Sequence, residues 1–155
     1  MNPLIRLAKH YYTASHWPEH LAPLLDLAIR LFLANVFIKS GLTKIQSWDS
    51  TLYLFNDVYQ VPLLPPEIAA YMATGAELGL PVLLVLGLFG RFATAGLFIL
   101  NAVAAYSYFS ELSQAGLNQH LYWGILLAVL LAISRNTWSI DTWLEKHMAK
   151  QHSKP

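Results

Sequence analysis

Four stretches of the chain stay apolar over the length of a helix, at about 21–42, 68–89, 92–109 and 118–136. The hydrocarbon core of a bilayer is about 30 Å thick and takes roughly 20 helical residues to cross. The pattern therefore predicts an all-α membrane protein, a bundle of four transmembrane helices. Residues 1–20 lack an apolar core and place Arg6, Lys9 and His10 among aromatics, which suits an interfacial N-terminal arm. With no cleavable signal core there, the first span is expected to act as an uncleaved anchor. The longest connection, 43–67, predicts a short amphipathic helix between spans 1 and 2. Asp49 or Ser50 would cap it, and Leu52, Leu54, Phe55, Val58 and Val61 form its apolar side. Val61-Pro62-Leu63-Leu64-Pro65-Pro66 stops it, and Pro66 with Glu67 opens the second span. The membrane domain is thus 21–144, followed by a basic cytoplasmic tail over 145–155.

The polar residues inside these spans carry the chemistry. Glu77 lies ten residues past Glu67, about 15 Å along a helix, which puts a carboxylate near mid-membrane. An ionisable group at that depth must face a partner or a cavity. In the first span Asp26, Arg30, Phe37, Gly41 and Lys44 share one face, and Asp26 and Arg30 are spaced to pair along the helix. By depth Arg30, about 12 Å from the cytoplasmic end, is expected to reach Glu77, while Lys44 lines the opening above. Asn101 also falls near mid-membrane and shares a face with Tyr108. These residues predict a polar pocket of Asp26, Arg30, Lys44, Glu77, Asn101 and Tyr108. The plain alternative is that the ions only hold the helices in register. Gly75 and Gly79 form a small-residue pair suited to helix contact, and Pro81 leaves the Glu77 carbonyl without its usual partner, so a bend is expected there. Gly90-Arg91 reads as a tight turn.

Composition narrows the classes. Of 155 residues, 55% are hydrophobic and 12% charged, against about 25% charged in soluble domains. A net charge of +1 gives no reason to expect nucleic acid. The absence of cysteine excludes disulfides, thiol redox chemistry and cysteine-held metals within the chain. Met1, Met72 and Met148 are too few for a copper(I) thioether relay. His16 and His20 have a spacing that aligns two imidazoles on a helix, but no third ligand is evident, so no metal site is assigned. His120 stands alone near a span, without the second histidine a haem would need. No nucleotide loop or nucleophile–base pairing points to a self-sufficient enzyme. With four spans, Arg6, Lys9, Arg91, Arg135, Lys146, Lys150 and Lys154 fall on one side, and Asp49, Asp57, Glu67 and Glu111 on the other, with Lys44 at its border. The basic side, with both termini, is expected to be cytoplasmic.

Arg30, Phe37 and Gly41-Leu42-Thr43-Lys44 resemble the first-helix signature of the DoxX family of small four-helix membrane proteins. Ala76-Glu77-Leu78-Gly79 followed by Leu86-Gly87-Leu88-Phe89-Gly90-Arg91 resembles its second-helix signature, and Trp138-Ser139-Ile140-Asp141 its Ser-x-Asp ending. The resemblance covers roughly 22–144, and its motifs contain Gly41, Gly79, Arg91 and Asp141, which together with Gly75 and Pro81 are taken as structural positions. The chain departs from the family's pattern at Tyr106-Ser107-Tyr108, where many members carry a histidine. It departs again at Ser134-Arg135-Asn136-Thr137, where Gly-Pro-Gly is common. The stretch from Trp48 to Glu67 is similar to the branch that accompanies copper-binding peptides and their maturation enzymes.

What the resemblance implies is a bacterial inner-membrane accessory subunit of a redox or metal/peptide-maturation system, with a protein partner; the pocket itself, fixed charges in an apolar wall, suits a quinone-like head group or a small anion. Some relatives are membrane subunits of quinone-linked oxidoreductases. Two other readings stand beside it: a small transporter or channel component, with the pocket or a proton path through Glu77 as its route, and a structural anchor for a partner. Homo-oligomers through Gly75 and Gly79 are compatible with each.

Overall fold

The computed structural model describes residues 17–133 and 139–152, and they are helical nearly throughout. The helices are α1 (Trp17–Gln46), α2 (Trp48–Asp57), α3 (Pro66–Leu86), α4 (Gly90–Ser107), α5 (Gln114–Ile133) and α6 (Ile140–His152). Most of the expected N-terminal arm, the Ser134–Thr137 turn and the last residues of the tail lie outside the described residues. Three helical segments are long and apolar enough to cross a membrane: Leu21–Gln46, Pro66–Leu86 and Gln114–Ala132. α4, with 18 residues, is about 27 Å long and packs against both α3 and α5.

α1 and α3 run antiparallel along their whole shared length. The Arg30 guanidinium donates to the Leu84 carbonyl at 3.4 Å near one end, and Lys44 meets Glu77 near the other. Between them Gly41 permits the approach: a Cβ there would lie 2.8 Å from Leu78 Cγ and 3.1 Å from Glu77 Cβ. Leu33, Phe37, Leu84, Leu97, Leu127 and Leu130 from α1, α3, α4 and α5 fill the centre. Large apolar side chains that remain exposed, such as Leu24, Phe32, Val82, Ile99 and Ile125, form the outer surface, as expected where the solvent is lipid.

Several boundaries differ from the sequence pattern, each for a local reason. α1 extends beyond 21–42 at both ends and breaks only at Ser47. The Thr51 hydroxyl donates to the Lys44 carbonyl across that break (3.0 Å), which ties α2 back to α1. α2 starts at Trp48 with Ser47 as its N-cap rather than Asp49 or Ser50. It then lies on the first turns of α3, with Phe55 against Ala69 and Ala70 and the Trp48 ring tilted against Tyr71 at 4.6 Å. α3 runs through Pro81, which is fully buried, and remains helical there.

The α3–α4 turn falls at Gly87–Phe89, not at Gly90-Arg91, which instead opens α4. Gly87 adopts φ 65° and Phe89 φ 50°. A left-handed conformation costs an ordinary residue about 1–2 kcal/mol, and Asp141 offsets that cost at Phe89. Its carboxylate accepts the N–H groups of Phe89 (3.1 Å) and Gly90 (3.0 Å), the first free donors of α4. The Asp141 N–H in turn donates to the Gly87 carbonyl at 3.2 Å. Ser139 caps α6 by accepting the Thr142 N–H at 3.2 Å. A Cβ at Gly87 would sit 2.5 Å from Ser139 Cβ and 3.0 Å from an Arg30 guanidinium nitrogen. Residues from all three sequence signatures thus meet in one knot at this end of the bundle.

Gly87→Ala is therefore expected to destabilise the fold by about 2 kcal/mol or more, combining backbone strain with a clash. Asp141→Asn, which keeps one acceptor oxygen, should cost less. Thermal unfolding of the detergent-extracted variants measures both, and an unchanged midpoint for Gly87→Ala would remove the role assigned to this turn.

Candidate functional site

At the opposite end of the α1–α3 seam, Lys44 Nζ lies 2.8 Å from Glu77 Oε1 and 2.7 Å from Oε2. Its third proton goes to Ser40 Oγ at 3.0 Å, and the Ser40 hydroxyl donates to Glu77 Oε1 at 3.1 Å. The spacing of Ser40 and Lys44, one turn apart on α1, brings both to the same face as Glu77. Glu77 is 7% exposed. A bare carboxylate at that depth would be costly, and this arrangement supplies both a countercharge and hydrogen bonds.

The pair forms one wall of a cavity of about 490 Å³ enclosed by α1, α2, the 58–65 connection, α3, α4 and α5. The opposite wall carries Asn101 and His120. Asn101 Nδ2 donates to the His120 carbonyl at 2.9 Å, which fixes the orientation of the amide. Its Oδ1 then faces His120 Nδ1 at 2.8 Å. Because Oδ1 only accepts, Nδ1 must carry the proton. Gly124 makes room for this: a Cβ there would lie 3.3 Å from Asn101 Nδ2. Trp123 packs edge-on against the His120 ring at 5.0 Å.

The end of the chamber beneath α2 is aromatic. Phe55, Tyr59 and Tyr108 form a row of edge contacts at 5.0 and 5.2 Å. The Gln60 N–H donates to the Ser107 carbonyl at 3.0 Å and fastens this connection to the end of α4. Ser107 Oγ, in the cavity wall, is buried without a hydrogen-bond partner. Burial raises the Tyr59 phenol above its ordinary 10.0, and Tyr108 and Glu77 nearby raise it further. Met72 and Ile99 line the cavity and are themselves exposed, so it reaches the outer surface between α3 and α4.

Of the residues singled out in the sequence, Lys44, Glu77, Asn101 and Tyr108 thus line one chamber. Asp26 and Arg30 do not join them. The expected Arg30–Glu77 contact is replaced by an Arg30–Asp26 ion pair at 2.8 Å and the bond from Arg30 to the Leu84 carbonyl. The reason is register. An antiparallel pairing that places Gly41 on Leu78 sets Arg30 beside Leu84 and Gly87, almost two turns from Glu77. A Cβ added at Gly75 or Gly79 would meet nothing within 4 Å, and both glycines stay on the exposed side of α3. Arg91 is exposed at the start of α4.

The sequence pattern did not single out Ser40, Tyr59, Ser107 or His120 as pocket residues. Of these, His120 had a signal, as the histidine at the start of the last span. Among the described residues no cluster of His, Asp and Glu could hold a metal ion. His16 and His20 lie outside what can be described in side-chain terms.

Apolar helices around a polar chamber define a multi-pass membrane protein in contact with the lipid bilayer. The family model for DoxX matches residues 25–110, more than half the chain, and the chain belongs to that family. It is also similar to an uncharacterized protein of Haemophilus influenzae, 33% identical over 128 residues, which covers 77% of this chain and 83% of the relative. No solved structure matches it.

Two outcomes test the site's energetics. Lys44→Met and Glu77→Gln are each expected to cost about 3 kcal/mol by stranding a buried partner. The double variant should lose clearly less than their sum, as a double-mutant cycle on unfolding free energies would record. The Tyr59 phenol stays protonated in the folded chain where the unfolded chain already loses its proton. Its contribution is thus intact below about pH 10 and is lost as pH rises through the higher folded value. Between about pH 9 and about pH 11 the wild type should lose more thermal stability than Tyr59→Phe.

Proposed function

We propose that this chain binds a lipid-soluble molecule with a small polar ring, of the quinone type, in the chamber between Glu77 and His120. It would do so as an inner-membrane accessory subunit of a redox system. The observation that carries the reading is the chamber's division of chemistry: largely apolar walls, polar groups at Glu77 and at Asn101–His120 with the hydroxyls of Tyr59, Ser107 and Tyr108 near them, and an opening beside exposed Met72 and Ile99. Sites for small ligands are built this way, and an opening on the lipid-facing surface admits a ligand that travels in the bilayer.

The volume of about 490 Å³ suits a substituted ring with the first part of a tail. A transport path is supported less well. Toward the Arg30 end the chamber gives way to fully buried Leu33, Leu84, Leu97 and Leu127, with no polar route through them among the described residues. A pure anchor would have no need of the Asn101–His120 arrangement or the unpartnered Ser107 hydroxyl.

In this reading α4 also crosses the membrane, as the third of four spans, both termini are cytoplasmic, and α2 lies near the opposite face as the roof of the chamber. The basic residues gathered on the side of the termini support that orientation. The redox or maturation partner, copper-peptide systems included, would dock on the chain from outside the chamber.

The chain in lipid nanodiscs, titrated with decylubiquinone, tests the proposal through tryptophan quenching, since Trp123 touches His120. Saturable quenching is expected, and Val103→Phe, which fills the chamber, should abolish saturation while leaving the thermal midpoint near that of the wild type. Linear, unsaturated quenching equal in both proteins would reject the proposal.

A further inference from the structure

We infer that the chamber selects the reduced, dihydroxy form of its ligand over the oxidised dicarbonyl form. The inference rests on the reading just given and extends it to the redox state of the ligand. It follows from which donors and acceptors the protein leaves unused.

On the α1–α3 wall every donor is committed. Lys44 has three protons, and they go to Glu77 Oε1, Glu77 Oε2 and Ser40 Oγ. The Ser40 proton goes to Glu77 Oε1. Oε1 therefore accepts two bonds, while Oε2 accepts one and keeps a lone pair. What this wall offers a ligand is an acceptor.

The α4–α5 wall reaches the same result by a different route. The His120 carbonyl fixes the Asn101 amide, the amide fixes the proton on His120 Nδ1, and Nε2 is left with a lone pair. No protein group among the described residues bonds Nε2, although His120 lines the cavity. The remaining Asn101 amide proton can be accepted by a carbonyl or by a hydroxyl oxygen, and the hydroxyls of Tyr59, Tyr108 and Ser107 can donate or accept, so none of these discriminates.

A ring with two hydroxyl groups can donate to Glu77 Oε2 and to His120 Nε2. A ring with two carbonyls presents lone pairs to lone pairs at both positions, and in a site shielded from water an unmet acceptor is penalised. The preference therefore favours the quinol by about tenfold or more, the scale of one hydrogen bond to a charged group. By linkage, each tenfold of preference raises the two-electron midpoint potential of the bound couple by about 30 mV relative to the same couple free in the bilayer.

The test compares decylubiquinol, kept reduced under anaerobic conditions, with decylubiquinone against the full chain in nanodiscs. Quinol binding about tenfold tighter is expected. In His120→Phe, which keeps the ring but removes the acceptor, quinol affinity should fall toward that of the quinone while quinone affinity holds. Quinone binding as tight as quinol in the wild type overturns the inference and leaves the quinone-type site standing. Failure of both ligands to bind overturns the two together. The wild-type ratio decides the matter even where the variant does not fold.

Discussion

The ion pair between Lys44 and Glu77 governs the upper half of this molecule. Two charges withdrawn from water lose solvation that their mutual attraction restores only if the geometry is good and the remaining hydrogen-bonding capacity is met. Here the ammonium bridges both carboxylate oxygens, and Ser40 takes the remaining proton while donating its own. That closure requires α1 and α3 to approach until a side chain at position 41 would collide with Leu78, which is why a glycine occupies it. Once Lys44 is held at the level of Glu77, α1 ends well short of the start of α3. The chain must break at Ser47, and α2 is left to climb along Ala69, Ala70 and Tyr71. The roof of the chamber is therefore a consequence of the ion pair.

The other end of the seam uses the same residue types for a different purpose. Arg30 is as buried as Glu77, yet it faces Asp26 and a backbone carbonyl rather than a cavity. Next to it Asp141 reaches across from α6 to cap α4, and Gly87 turns through the left-handed region where Ser139 presses against it. These contacts satisfy the loose backbone groups at a helix junction. The family signatures thus serve two separate ends. Arg30, Gly87 and Asp141 secure the junction, while Lys44 and Glu77 shape the chamber.

Between these ends the apolar cluster of Leu33, Phe37, Leu84 and Leu97 separates junction from chamber. Its presence gives the chamber a floor, and the exposed rim at Met72 and Ile99 gives it a side entrance.

The helical class, the apolar segments, the buried carboxylate and the family were all legible in the chain, because hydropathy and the spacing of charges are local properties. So was the membership of Lys44, Glu77, Asn101 and Tyr108 in a polar interior, since each sits at a depth that follows from counting residues. Which cation meets Glu77 was not. Arg30 and Lys44 share a helix face, and counting rise along two helices does not fix the register between them; that was decided where Gly41 packs on Leu78. Asp141 and Phe89 are likewise far apart in sequence, and only packing makes one the cap of the other. The tautomer of His120 lay furthest from the sequence, because it depends on an amide oriented by a carbonyl on a neighbouring helix. Residue types and their periods set what must be buried, whereas the approach of backbones set which buried groups meet.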